Sequence, residues 1–112
     1  MEENLTVEDN TSNTPQNVRE YHERGWIHLT QKDFASAEAD FRQALFKNDR
    51  FAEGYFGLGV ALKQLQKYPE AMEAFEKTLS FLGLDTKKED QIRLSMLRRL
   101  AKDHLEILRR RA

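Results

Sequence analysis

Three histidines, His22, His28 and His104, are the side chains best suited to hold a metal ion or pass a proton near neutral pH. A helical metal pair such as H-E-x-x-H needs a spacing of four, so that both rings project from one face. His22 and His28 stand six apart, and His104 is remote in sequence. No cysteine is present, which excludes disulfides and thiol catalysis. No glycine-rich loop of the phosphate-cradling kind occurs. The carboxylates Glu38, Asp40, Glu70 and Glu73 fall on expected outer helix faces and are read as solvated. His28 lies among core positions and is read as a packed, neutral imidazole. These residues point away from an enzyme, and they imply no metal and no cofactor.

The elements that position them are helices. Ala37–Leu45 reads A-E-A-D-F-R-Q-A-L, and an echo of it, A-M-E-A-F-E-K-T-L, runs over Ala71–Leu79 at an offset of 34 residues. Tyr21 with Tyr55, Gly25 with Gly59, Phe34 with Tyr68 and Phe41 with Phe75 keep the same offset. Such a period marks a stacked helix–turn–helix repeat. The spacing predicts a first repeat over about 18–51 and a second over about 52–85. Thr14-Pro15 is the expected start of the first helix, with Thr14 as N-cap. Gln31-Lys32-Asp33 should turn the chain, with Asp33 capping the next helix. Gln66-Lys67 should turn it again before Tyr68-Pro69. Gly83 is the expected C-terminal stop. Gly25 and Gly59 inside helices make sense where another group passes close by, because glycine there costs about 0.5–1 kcal/mol.

Residues 1–13 form a polar, acidic stretch that cannot offset its ordering entropy, and a flexible tail is expected there. The remaining domain, 14–112, ends in one long helix over about 86–111, opened by the capping box Thr86/Glu89. A repeat stack needs such a cap over its last open face. The apolar residues of this helix spread over roughly 220° of arc, where one buried face needs little more than about 100°. The surplus requires a cover: the last repeat, a second copy of the chain, or another protein. The net charge of −1 hides a polarity. Glu2, Glu3, Glu8 and Asp9 face no cation within residues 1–17, whereas residues 87–112 are basic through Arg98, Arg99, Lys102 and Arg109-Arg110-Arg111. Cations suit a helix C-terminus. Nucleic-acid binding is not expected, because no aromatic residue follows Phe81. No apolar run reaches membrane-spanning length and no leader is apparent, so a cytoplasmic location is expected.

The pattern resembles the tetratricopeptide repeat. The second copy carries Tyr55, Leu58-Gly59, Tyr68, Ala71, Phe75 and Thr78-Leu79; the first carries Tyr21, Arg24-Gly25, Phe34, Ala37, Phe41 and Ala44-Leu45. Departures are Arg24 in place of an apolar residue and Thr78 in place of a small alanine. Lys32 and Gln66 replace the turn glycine, and Asp49 and Gly83 replace a proline. The resemblance implies an all-α superhelix of two repeats plus a capping helix. It also implies non-catalytic binding of another protein or peptide on the concave face of the first helices. By register that face would carry Arg19, His22, Trp26, Leu29, Thr30, Glu53, Phe56, Val60, Lys63 and Gln64. Trp26, Phe56 and Val60 would be its exposed apolar anchors. The clamp by which some family members grip a terminal carboxylate is not expected, since His22, Trp26 and Gly57 occupy its places. A homodimer through the C-terminal helix is the alternative arrangement, and anion or RNA binding by that helix a weaker one.

Overall fold

The computed structural model describes residues 14–82 and 90–111. Within them the chain forms α1 (Val18–Thr30), α2 (Phe34–Lys47), α3 (Ala52–Gln64), α4 (Tyr68–Leu82) and α5 (Gln91–Arg111), and no strand. The expected tail, Gly83 and the Thr86/Glu89 capping box lie outside the described residues.

Each boundary has a local cause. Asn17, rather than Thr14, caps α1: its side chain accepts a hydrogen bond from the Glu20 N–H at 2.9 Å. Pro15 lies ahead of the helix and is buried. Asp33 caps α2 as expected, accepting from the Ser36 N–H. The two within-repeat turns hold Lys32 and Gln66 at φ 64°, the left-handed region where the missing glycine would sit without strain.

Neighbouring helices pack in chain order, and the odd-numbered helices also touch, α1 with α3 and α3 with α5. The backbones of the even-numbered helices α2 and α4 stand apart, bridged by the Arg42–Glu70 ion pair at 3.8 Å. A cleft of about 360 Å³, floored by Leu58 and Leu62 of α3, separates them on the outer side. Odd helices drawn together and even helices splayed apart make a curved stack, concave on the α1–α3–α5 side.

Phe41 and Phe75, both fully buried, are the pins of the stack. A Cβ on Gly25 would lie 2.8 Å from the Phe41 ring, and one on Gly59 would lie 2.8 Å from the Phe75 ring. Gly57 faces Phe41 more closely still. The helix-breaking tendency of these glycines is offset by the ring each admits. Ala37, Ala44, Ala61, Ala71 and Ala101 are likewise fully buried at helix crossings. Thr78, standing where an alanine is usual, is fully buried and donates its hydroxyl proton to the Ala74 carbonyl at 3.0 Å. That bond satisfies the group within its own helix.

Candidate functional site

On the concave side, a cleft of about 370 Å³ lies between the C-terminal ends of α1 and α3. The structure brings together five of the ten residues expected there: Trp26, Leu29 and Thr30 from α1, with Val60 and Gln64 from α3. Two further lining residues, Lys32 and Phe34, went unrecognised because they belong to the turn and to the start of α2.

Trp26 is half-buried. Its indole stacks at 6.3 Å on Phe56, meets Phe41 edge-on at 5.7 Å, and donates its N–H to His22 Nε2 at 3.2 Å. It is both a wall of the cleft and a strut of the core. His22 is wedged between Phe41 and Phe51 instead of lining an open surface. Because its Nε2 accepts from Trp26, its proton sits on Nδ1, which is buried and has no hydrogen-bond partner. Burial holds its pKa below the ordinary value, against the pull of Glu53 and Glu23. Arg19 is exposed on the first turn of α1 and does not line the cleft.

Three expected site residues are taken up by α5. Phe56 is not an exposed anchor. It is buried at 8% exposure and contacts His104 of α5 at 5.7 Å and Phe75 at 5.6 Å. Glu53 is ion-paired with Arg93, and Lys63 donates to His104 Nδ1 at 3.1 Å. His104 stacks flat on Phe75, with centroids 4.7 Å apart and planes 4° from parallel. Burial lowers its pKa, and the Lys63 ammonium lowers it further. The helix thus closes the α3 half of the concave face, and the α1 side of the cleft stays open. Residue periodicity within α3 carried no sign of this, because the cover comes from a helix forty residues away in sequence.

Only part of the wide apolar arc of α5 is covered. Leu94, Ala101, Leu105 and Leu108 are buried, whereas Ile92, Met96, Leu100 and Ile107 remain 77%, 61%, 46% and 48% exposed. The basic C-terminus is engaged within the chain. Arg109 pairs with Glu76 at 3.4 Å, Arg110 with Glu106 at 3.2 Å, and Arg111 lies 4.6 Å over the Tyr68 ring.

Asp40 corrects another expectation. It is not solvated but 3% exposed. Arg24 donates to it at 2.8 Å and 3.2 Å, and His28 lies at 2.7 Å. Arg24, the departure noted in the first copy, is explained by this carboxylate. Glu38 is also bound, by Arg42 at 2.8 Å and Lys67 at 3.2 Å. Among the described residues no group of three metal-ligating side chains converges.

A family model for the tetratricopeptide repeat matches residues 22–84, more than half of the chain. The protein belongs to the tetratricopeptide repeat family. Among solved structures, a chain of the CopN-Scc3 complex is similar at a TM-score of 0.58 and 20% identity. The match covers 81% of this chain and 54% of that one, so this chain spans about half the neighbour's length. At that identity the likeness concerns the fold. No curated protein matches the chain. As a tetratricopeptide-repeat protein it is an all-α superhelical repeat and a protein–protein interaction module. No described helix is long and apolar enough to cross a membrane.

Proposed function

We propose that this tetratricopeptide-repeat chain is a non-catalytic adaptor that docks a segment of another protein on its concave face. The observation that carries the reading is the open, largely apolar cleft between α1 and α3, walled by Trp26, Leu29 and Val60. Apolar groups held on rigid helices, with polar Thr30 and Gln64 at the border, have the make-up of a peptide-binding groove. The similar chain of known structure is itself part of a protein complex, which fits the same reading.

The test compares two surface changes. Val60→Asp places a carboxylate in the cleft, whereas Phe46→Ser alters the 87%-exposed phenylalanine on the outer side. Affinity capture from the native host should recover a partner with wild type and with Phe46→Ser, and lose it with Val60→Asp. All three proteins should have equal helicity. A partner that survives Val60→Asp would refute the cleft. Trp26→Ala is the poorer test, because the contacts of Trp26 with Phe41 and Phe56 tie it to stability.

A further inference from the structure

We infer that the exposed stripe of α5 is the far wall of the same groove, and that its occupant is an amphipathic helix of another protein with carboxylates bordering its apolar face. This rests on the docking reading above and names the class of partner.

The placement follows from what α5 touches. With Ile92 set at 0° and about 100° per residue, Leu97, Ala101, Leu105 and Leu108 fall at about 140–220°, the side packed on α4. Arg93 and His104 fall at about 100–120°, where they meet Glu53, Phe56 and Lys63 of α3. Ile92, Met96, Leu100 and Ile107 fall at about 0–80°, one step further round, which is the concave side. The contacts Glu53–Arg93 and Lys63–His104 align the two helices with an offset near forty residues. Leu100 therefore stands level with Val60, and the thirty-four-residue repeat sets Val60 level with Trp26. One apolar rank crosses all three helices.

The stripe has the spacing of a helix–helix seam. Its members are four, four and seven residues apart. They run about 22 Å along the axis, or roughly four turns of a partner helix. The rim supplies the charge preference. Lys32, which lines the cleft, and Arg99, which borders the stripe, have no carboxylate partner among the described residues. Asp103 is the single carboxylate within the stripe. A second copy fits poorly. Antiparallel pairing of two stripes centres between residues 99 and 100 and brings together the two flanks that carry Arg99. A helix edged with glutamate meets them instead.

The experiment uses the full chain and two synthetic eighteen-residue helical peptides. Both carry a leucine stripe at the same four, four, seven spacing; glutamates border it in one and lysines in the other. Calorimetric titration should show the glutamate-bordered peptide binding at least tenfold more tightly. The double change Met96→Ser/Leu100→Ser, at exposed positions, should weaken it at least tenfold. Arg99→Glu should erase or reverse the preference, and Lys102→Glu on the polar back of α5 should leave it unchanged. Equal affinity for the two peptides overturns the inference, as does insensitivity to the Met96/Leu100 change. A wild-type mass that doubles with concentration, but not in the double variant, assigns the stripe to a second copy and also overturns it. Should those failures occur while Val60→Asp still abolishes capture of the native partner, the inference falls and the cleft reading stands. Loss of neither binding event in Val60→Asp removes both.

Discussion

The two repeats occupy one register and solve one packing problem with different chemistry. Arg24, His28 and Asp40 of the first repeat correspond to Leu58, Leu62 and Ala74 of the second. The second set, Leu58 and Leu62 of α3 with Ala74 of α4, is buried and apolar, because α3 has α2 packed in front of it. The corresponding edge of α1 has no described helix in front of it, and there the chain has placed an ion-paired cluster. Ile27 and Ala61 differ in exposure alone, at 53% and 0%, since both are apolar. Glu23 is exposed where Gly57 is closed against Phe41. At the far end of the stack, Arg98, Lys102 and Arg109 of α5 make the polar closing face. The first repeat thus presents paired charges along the edge where the second repeat presents apolar groups.

The largest effect expected is from breaking the cluster on one side. Arg24→Leu leaves Asp40 buried without its main partner. It should destabilise the fold by about 3 kcal/mol in urea titration, in the range for a broken buried pair. Arg24→Leu/Asp40→Ala, which writes second-repeat residues into the first, should recover all but about 1 kcal/mol. Equal losses in the single and double variants would show that Asp40 is not held by Arg24.

Next in size is Gly57→Ala. The added methyl has to displace the fully buried Phe41 ring, and overpacking of this kind costs about 1–3 kcal/mol. Glu23→Ala, at the matching place in the first repeat, should change stability by less than about 0.5 kcal/mol. Thermal melts of the two proteins, side by side, check the contrast.

Much of this architecture is legible in the sequence. Tyr21, Gly25, Ala37 and Phe41 recur at 34 residues, and the Gly25–Phe41 approach is repeated by Gly59 and Phe75 at the same distance. The Arg24 departure was visible too, but its partner was not. Within α2, Asp40 lies on an arc that reads as outward, and only the approach of Arg24 and His28 from α1 buries it. The cleft was half legible for a similar reason. Trp26 and Val60 project from α1 and α3 as register dictates, whereas Phe56, Glu53 and Lys63 are covered by a helix outside the repeat pattern. The excess apolar arc of α5 was plain from its sequence. How it divides, with one part packed on α4 and the rest exposed, depends on where His104 and Arg93 dock.

A third expected effect concerns protonation. His22 stands where the second repeat has Phe56, and its pKa is lowered by burial, as is that of His104. A histidine with a folded-state pKa below its unfolded value of about 6.5 takes up its proton more readily in the unfolded chain. Its neutral form therefore contributes stability above about pH 6.5, and that contribution is lost as the pH falls below it. Wild type should lose stability between pH 7.5 and 5 through these two groups. His22→Phe should lessen the slope, and His22→Phe/His104→Phe should flatten it further. A slope unchanged in the double variant would place its origin elsewhere.

The smallest effect is shared by both repeats. Lys32→Gly and Gln66→Gly relieve a left-handed backbone that costs a non-glycine residue about 1–2 kcal/mol. Part of the gain is offset by the greater freedom of glycine in the unfolded chain. Each should stabilise the fold by about 0.5–1 kcal/mol, and by similar amounts, since φ is 64° at both. A destabilised variant in a chemical melt would mean that the side chain, rather than the turn, holds that corner.

The most direct test of the docking account uses Trp26, the only tryptophan in the chain. Its emission is recorded as the glutamate-bordered helix is titrated into wild type and into Leu100→Ser. A helix lying between α5 and the Val60 cleft removes water from the half-buried indole. The account predicts a saturable blue shift in wild type that is lost in Leu100→Ser. Unchanged emission under conditions where calorimetry shows the peptide bound would contradict it.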